Sequence, residues 1–367
     1  MEIRCPKCNT ANPSDSRYCR ECATPLPAAE KPAGSPTLTY ETPREKFASG
    51  TVFAGRYQII EELGKGGMGS VYRAIDKKLN EEVALKLIRS EIASDRMTLD
   101  RFSNEIKIVR KIVHRNVSRM YHLSEEKGIH YITMEYVPGE DLRRMLRMSK
   151  RMEIGTAISI ARQVLEGLAE AHRLGVVHRD LKPGNIMIDQ EGQVRILDFG
   201  IARAIKSEGP TEVGLIIGTP EYMSPEQVEG KEVDQRSDLY SLGVILFEMV
   251  TGRVPFEADT PFAVGVKHRS EKPPDPRQIN AHIPEDLNSL ILKCLEKDAA
   301  KRYQSAEELL SALAKIEKSF PAAAREGNTT SRPNTGKAFR RCRKPWKSTL
   351  ILPWPGDRSP CPTATWA

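Results

Sequence analysis

The chain has 367 residues, of which 39% are hydrophobic and 29% are charged, a balance typical of a globular protein with an apolar core. No apolar run reaches the roughly 18 residues that a membrane-spanning helix needs. The first residues contain no apolar segment typical of a secretory signal, so we expect a cytoplasmic protein without a transmembrane segment. The net charge of +7 arises in residues 316–367, because the first 315 residues contain 46 basic and 46 acidic side chains. The charge therefore gives no strong indication of nucleic-acid binding by the main part of the chain.

The N-terminal segment contains two C-x-x-C pairs, formed by Cys5, Cys8, Cys19 and Cys22. Two such pairs can supply four thiolates to a tetrahedral zinc ion, and metal binding would supply the folding free energy that so short a segment cannot gain from burial. A redox-active dithiol and cysteines without a metal are the alternatives. Because the paired spacing is typical of metal sites, and the segment resembles the small zinc-ribbon modules of bacterial proteins, we predict a Zn²⁺-binding ribbon over residues 1–26.

A linker and a glycine-rich hairpin follow the cysteines. Residues 27–55 are rich in proline and small residues, which predicts an extended linker. Tyr57 to Leu63 has the character of a strand, and Val71 to Ile75 alternates like a second strand, whereas a dinucleotide-binding turn would open a helix. The G-x-x-x-x-G-K-[ST] pattern of the other phosphate-binding loop is absent. We therefore predict a hairpin whose backbone approaches the phosphates of ATP, formed by Leu63, Gly64, Lys65, Gly66, Gly67, Met68, Gly69 and Val71.

The third predicted strand, Glu82 to Ile88, places Ala84 and Lys86 on one face through its period of two. A lysine within an apolar strand is costly unless its charge is paired. The next helix offers Glu105, which stands beside an apolar stripe formed by Phe102, Ile106, Val109 and Val113. We predict an ion pair between Lys86 and Glu105 that holds the lysine at the phosphates. A solvated glutamate on a surface helix is the alternative.

The adenine side of the pocket is predicted from the strand Ile129 to Tyr136, the connector after it and a later hairpin. The residues assigned to ATP binding there are Met134, Glu135, Val137 and Met187. An amphipathic helix from Ala157 to Leu174 follows the connector. It leads to a polar run, His178–Asn185, and then to a hairpin that ends at Asp198-Phe199-Gly200.

Eight short motifs occur in a fixed order along residues 56–315: the glycine loop, V-A-L-K, the helix glutamate, H-R-D-L-K-P-G-N, D-F-G, G-T-P-E-Y-M-S-P-E, S-D-L-Y-S-L-G and K-R-Y. In this order they resemble the motifs of bacterial-type serine/threonine protein kinases. The resemblance implies an α+β chain with a two-lobed protein kinase fold over residues 56–316, with a small β-rich lobe and a larger helical lobe, preceded here by the zinc ribbon. It also implies transfer of the ATP γ-phosphate to serine and threonine hydroxyls of proteins.

The same resemblance assigns catalytic roles to the polar run. Asp180 would accept or orient the proton of the substrate hydroxyl, and Lys182 would steady the transferred phosphoryl group. Asn185 and Asp198 would hold Mg²⁺, or Mn²⁺, against the phosphates, because hard oxygen ligands suit that ion.

Regulatory and structural roles follow from the resemblance for five further residues. Arg179 stands at the position that marks kinases activated by phosphorylation of a loop, and Thr211 is the predicted autophosphorylation site in that loop. Asp238, which opens a long apolar helix, is predicted to hold the backbone of the polar run. Glu226 is predicted to pair with Arg302.

Two alternatives concern the whole chain. Residues 317–367 are basic, contain all three tryptophans and show no sustained periodicity, which predicts a disordered tail, either functional or the remnant of a truncated or frame-shifted reading frame. A pseudokinase scaffold that binds partners through the ribbon is the alternative function, and it is disfavoured because Lys86, Asp180, Asn185 and Asp198 are all present. The predicted partners are protein substrates and, for autophosphorylation, a second copy of the kinase.

Overall fold

The computed structural model describes residues 2–6, 8–13, 47–66, 69–88, 96–199 and 219–319. They belong to two compact units, Met1–Phe47 and Ala48–Ala367. In the first unit, β1 (Glu2–Arg4) pairs antiparallel with β2 (Ala11–Pro13). Residues 27–46 of the predicted linker and 320–367 of the predicted tail lie outside the described residues.

A six-stranded antiparallel sheet forms the first part of the second unit. Its strands are β3 (Val52–Phe53), β4 (Tyr57–Gly66), β5 (Gly69–Asp76), β6 (Glu81–Ile88), β7 (Met120–Glu126) and β8 (Ile129–Glu135), in the order β3-β4-β5-β6-β8-β7. The predicted strands are confirmed, and a strand rather than a helix follows the glycine loop. The strand β3 lies within the predicted linker. It is anchored by Phe53, whose ring packs edge-on against Tyr131 with 5.1 Å between centroids.

One helix, α1 (Arg96–Val109), packs against this sheet. Ile106 is 4% exposed and lies in an apolar cluster with residues of β6 and β8, so the predicted stripe is buried there. The stripe ends earlier than predicted. Val113 lies beyond the end of the helix and is 61% exposed, because helical spacing no longer returns its side chain to the buried face.

The rest of the second unit is mainly helical. Its helices are α2 (Leu142–Ser149), α3 (Ile154–Arg173), α4 (Pro225–Val228), α5 (Gln235–Thr251), α6 (Pro261–Ser270), α7 (Pro276–Ile279), α8 (Glu285–Cys294) and α9 (Ala306–Ser319). The apolar stripe predicted for α3 is buried, and α3 packs against α5 and α9. A sheet with one helix, followed by this helical part, is the two-lobed α+β architecture that the resemblance implies. Within the described ranges, no helix is long and apolar enough to cross a membrane.

A small sheet positions the polar run. Its strands are β9 (Glu140–Asp141), β10 (Ile186–Ile188) and β11 (Val194–Ile196), in the order β11-β10-β9. The polar run ends in a short 3₁₀ turn, Pro183–Asn185, directly before β10, and Asp198 follows shortly after β11. Because β10 and β11 are antiparallel, the residue before one strand and the residue after the other lie together. The N–H of Leu197 accordingly donates to the carbonyl oxygen of Asn185 at 2.8 Å.

Candidate active site

A buried carboxylate fastens the backbone of the polar run. Asp238 lies in the first turn of α5 and is 1% exposed. Its two oxygens accept the backbone N–H groups of His178 at 2.8 Å and Arg179 at 2.9 Å. Nε2 of His172 lies 2.8 Å from the same carboxylate. Burial raises the pKa of Asp238, but the hydrogen bonds and the neighbouring His172 outweigh it, so the pKa lies below its usual range and the group stays ionised.

Two polar side chains of the run, those of Lys182 and Asn185, meet at Asp180. Nζ of Lys182 lies 2.6 Å from Oδ2 of Asp180. Nδ2 of Asn185 donates to the carbonyl oxygen of Asp180 at 2.8 Å and lies 3.3 Å from its Oδ2. The Asp180 side chain is 29% exposed, so its carboxylate remains open to a substrate. Because the amide nitrogen of Asn185 faces Asp180, its amide oxygen points away from it.

The sheet contributes a cation to the same place. Nζ of Lys86, whose side chain is 6% exposed, lies 2.7 Å from Oδ2 of Asp198. Burial raises the pKa of Asp198, but the charge and hydrogen bond of Lys86 outweigh it, so the carboxyl has a pKa below its usual range. His178 holds the segment before Asp198, since its Nε2 lies 2.8 Å from the carbonyl oxygen of Leu197 and its ring packs edge-on against Phe199.

The predicted ion pair between Lys86 and Glu105 is wrong for this structure. Asp198 has a left-handed backbone, with a φ of 60°, which directs its carboxylate at the lysine. A buried ammonium needs one close counter-charge, and Asp198 supplies it. Glu105 instead lines a cavity with Val177 and Arg179, between α1 and the residues that precede Asp180.

The register of the sheet aligns predicted nucleotide-binding residues of four strands. Gly64 of β4 pairs with Val71 of β5, and Val71 pairs with Lys86 of β6. Ala84, two residues before the lysine, pairs with Met134 of β8. Ala84 and Met134 are both buried in one apolar cluster, so they can form the inner wall of an adenine pocket.

The tip of the hairpin between β4 and β5 is described in part. Gly67 and Met68 lie outside the described residues. The exposed residues before them are Leu63, Gly64, Lys65 and Gly66. Gly69 after the tip has a φ of 148°, and a Cβ there would lie 1.7 Å from the carbonyl oxygen of Leu87. Only glycine therefore permits this close approach of β5 to β6.

The connector after β8 is already engaged in part. The N–H of Glu135 donates to the carbonyl oxygen of Arg119 at 2.8 Å, and its carboxylate accepts the N–H of Arg119 at 3.0 Å. That N–H is not available to a ligand, so a donor from the connector must come from a later residue such as Val137, which is 9% exposed. Met187 lies in β10, in register with Arg195.

A buried ion pair braces the chain after the loop that contains Thr211. Arg302, whose side chain is 0% exposed, donates to both oxygens of Glu226, each at 2.8 Å. The hydroxyl of Ser237 donates to the same carboxylate. Burial raises the pKa of Glu226, but these hydrogen bonds outweigh it and lower the pKa to about 2.

Two residues that support the polar run were missed by sequence reasoning. Nε2 of Gln227 donates to the carbonyl oxygen of Arg179 at 2.6 Å, and His172 contacts Asp238 from α3. The S-x-x-Q pattern at Ser224 could have indicated that Gln227 caps the helix α4, as it does. Nothing in the sequence pairs Gln227 with Arg179, because the contact joins residues 48 positions apart.

The described part of the first unit contains two of the four predicted zinc ligands. Cys5 is buried and Cys8 exposed in the turn between β1 and β2, where Asn9 adopts a left-handed φ of 60° and donates its N–H to the Cys5 carbonyl oxygen. Cys19 and Cys22 lie outside the described residues, as does Thr211 of the second unit. Among the residues that the structure describes, no three His, Cys, Asp or Glu side chains form a group that could hold a metal ion.

Comparison with known proteins identifies the family of the chain. The family model of the protein kinase domain matches residues 57–313. Serine/threonine-protein kinase PrkC of Bacillus subtilis is 38% identical over 260 residues, which cover 71% of this chain and 40% of that protein. Serine/threonine-protein kinase pkn3 of Myxococcus xanthus is 41% identical over 288 residues, which cover 76% of this chain and 53% of that protein.

The chain thus spans between 40% and 53% of the length of these two relatives. Among solved structures, the kinase domain of Mycobacterium tuberculosis PknI matches with a TM-score of 0.59 and 26% identity, over 74% of this chain and 99% of that one. The chain belongs to the protein kinase family, and residues 57–313 form a bacterial-type serine/threonine protein kinase domain.

Proposed function

We propose that this chain is an active protein kinase that transfers the γ-phosphate of ATP to serine and threonine hydroxyls of proteins. The observation that carries the proposal is the position of two clusters side by side. Asp180, Lys182 and Asn185 form one cluster, and the Lys86–Asp198 ion pair forms the other. The hydrogen bond from the Leu197 N–H to the Asn185 carbonyl oxygen joins the two segments. Phosphoryl transfer needs positioning and charge stabilisation more than covalent catalysis. A partly exposed carboxylate beside the Lys182 ammonium, with the buried Lys86 ammonium at Asp198, meets that need.

The residues at this place fit a magnesium ion. The Asp198 carboxyl has a lowered pKa and is therefore ionised at neutral pH, and the amide of Asn185 turns its nitrogen to Asp180 and its oxygen away. A carboxylate and an amide oxygen are hard ligands that suit Mg²⁺ or Mn²⁺. We propose that these two side chains would hold the ion, which would offset the negative charge of the ATP phosphates when bound.

The substrate hydroxyl would meet Asp180. Its carboxylate can accept the hydrogen bond of a serine or threonine hydroxyl and align the oxygen for attack on the γ-phosphate. Lys182, at 2.6 Å from the same carboxylate, lies where it can also offset negative charge on the transferred group. Asp238 and Gln227 act through the backbone of the polar run, since they contact His178 and Arg179 rather than the reacting groups.

The test is transfer of labelled phosphate from ATP to a protein substrate by the full chain with Mg²⁺ or Mn²⁺. We expect Asp180→Asn to lose about 100-fold or more in kcat, the range of a general base. Asp286→Asn, the same change at an exposed position of α8, is the matched control. A wild-type chain without activity would favour the pseudokinase alternative, and full activity of Asp180→Asn would remove Asp180 from the proposed role.

We also propose that phosphorylation of Thr211, by a second copy of the chain, activates the enzyme. A phosphate carries nearly two negative charges and prefers arginine, and Arg179 directly precedes Asp180. Peptide mass mapping after incubation with ATP should find phosphate at Thr211 in the wild type and none in Asp180→Asn. Phosphate elsewhere only would contradict the proposed site.

For the N-terminal segment we propose a zinc ribbon over residues 1–26, followed by a linker and, after the kinase domain, a tail over residues 317–367. Cys5 and Cys8 share one turn and can supply two of four thiolates. The zinc content of the purified chain should fall in Cys5→Ser and stay unchanged in Cys294→Ser, whose cysteine is buried in the helical core. Equal zinc in both variants would reject the site.

A further inference from the structure

A strip of positive charge runs along α2 and the two residues that follow it, beside the polar run. Five cationic side chains fall within nine residues, at Arg143, Arg144, Arg147, Lys150 and Arg151. Arg144 pairs with Glu140 at 3.0 Å. The charged groups of the other four make no ion pair or hydrogen bond within the described part of the chain. We call these four residues the α2 strip.

Arg143, the first residue of the strip, lies against the backbone of the polar run. The helix α2 packs against the turn Pro183–Asn185. A Cβ at Gly184 would lie 3.4 Å from both Cζ and Nη2 of Arg143, so the guanidinium rests against the backbone between Lys182 and Asn185. Arg143 is half-buried, which fixes its side chain beside the two residues that would hold the phosphoryl group and the metal.

Arg143 influences Glu248 and Tyr222 through its charge. The Tyr222 hydroxyl donates to Glu248 at 2.6 Å, and Oε2 of Glu221 is buried without a hydrogen-bond partner in the described structure. Burial raises the pKa of Glu248, and the hydrogen bond from Tyr222 and the positive charge of Arg143 both oppose this rise. Within the described residues, neither Glu248 nor Glu221 forms an ion pair with Arg143. The guanidinium lies against the backbone at Gly184, between the two residues that we propose meet the phosphoryl group and the metal.

We infer that the α2 strip selects protein substrates whose acceptor serine or threonine is flanked by acidic side chains, an inference that rests on the proposed kinase function. Arg143 would bind one carboxylate, or one phosphorylated side chain, through the planar fork of its guanidinium. Arg147 lies one helical turn later on the same face and can bind a second anion. Met148 between the exposed cations is 77% exposed and offers an apolar contact.

The test compares matched peptides that contain one acceptor serine flanked by Glu, by phosphoserine or by Gln. For wild type we expect kcat/KM to be about ten-fold higher for either acidic peptide than for the Gln peptide, the size of a charge-assisted hydrogen bond. Arg143→Gln should bring this ratio close to one, and Arg147→Gln should lower it about three-fold. Arg144→Gln, whose arginine is already paired with Glu140, should keep the wild-type ratio.

Equilibrium binding separates this inference from the kinase proposal. A fluorescent acidic peptide with alanine at the acceptor position should bind the wild-type chain about ten-fold more tightly than Arg143→Gln, whether or not phosphate is transferred. The exposed Arg147 provides the same comparison if Arg143→Gln does not fold. Equal ratios in wild type and both variants would overturn the inference. An oligonucleotide of equal charge that binds wild type as tightly as the acidic peptide, and loses as much affinity in Arg143→Gln, would also overturn it, because the strip would then bind any polyanion.

Discussion

Replacing Glu226 with Gln isolates the contribution of one buried charge to the stability of the kinase domain. Arg302 is enclosed by the protein and donates two hydrogen bonds to Glu226, one to the carbonyl oxygen of Glu296 and one to that of Lys297. Gln keeps the size of the side chain but offers one oxygen and no charge. The guanidinium then keeps its carbonyl acceptors and loses its counter-ion, and an uncompensated buried charge is strongly destabilising.

The magnitude follows from the lowered pKa. The Glu226 carboxyl has a pKa of about 2 in the folded chain, against about 4.3 in an unfolded chain. This difference corresponds to about 3 kcal/mol of folding free energy at pH 7, which we expect Glu226→Gln to lose. Because the folded pKa is the lower one, the contribution is complete above the unfolded pKa and falls with pH toward the folded pKa. Roughly half of it should be gone at pH 3.

Urea unfolding of the full chain at pH 7, 4 and 3 tests this reasoning. The difference in unfolding free energy between wild type and Glu226→Gln should be largest at pH 7 and shrink by about half at pH 3. Glu229→Gln is the control, since Glu229 pairs at the surface with Lys231, whose side chain is 69% exposed, and should cost less than about 1 kcal/mol. A difference that stays constant with pH, or one no larger than that of Glu229→Gln, would refute the assigned ion-pair energy.

Two further substitutions test the geometry of the site. Gly69→Ala should lower the free energy of unfolding by about 3 kcal/mol or more, because its Cβ would overlap the Leu87 carbonyl oxygen. Gly128→Ala, at a φ of 79° with open space around it, should cost only about 1 kcal/mol of backbone strain, and equal losses would contradict the overlap argument. Asp238→Asn should lower kcat at least about ten-fold with little change in the KM for ATP, because an amide offers one acceptor oxygen to two backbone N–H groups. An unchanged kcat would show that these two hydrogen bonds are not needed for activity.

Local patterns predicted the elements of the fold well. Strand-like runs predicted β4, β5, β6 and β8, with period-two alternation in β5 and β6, and the period of an amphipathic helix predicted α3. The helical pattern succeeds because α3 buries its apolar side against the core, whereas β6 is buried on both faces from Val83 to Ile88. The two-residue strand β3 escaped the prediction, because a segment this short shows no pattern, and its position depends on pairing with β4 and on the contact of Phe53 with Tyr131.

The contacts within the site were less predictable. The sequence identified Lys86 as needing a counter-charge, but its partner depends on the left-handed backbone of Asp198, which no residue pattern indicates. Gln227 and His172 contact the polar run from elements far away in sequence. Such contacts are set by tertiary packing, whereas motif spacing reports only which residue types are present.

The bonds that hold the site show what must change when a nucleotide binds. Asp238 and His178 tie the polar run and the segment before Asp198 to the helical core, while Lys86 comes from the sheet. In the structure, Lys86 and Asp198 are paired with each other. For Asp198 to hold a metal ion and for Lys86 to contact phosphates, each side chain would exchange this partner for a new one of opposite charge. The lowered pKa means that Asp198 is already ionised, so this step requires no proton transfer at the carboxyl. We therefore predict that nucleotide binding would disrupt the Lys86–Asp198 ion pair and leave the hydrogen bonds of Asp238 and His178 in place.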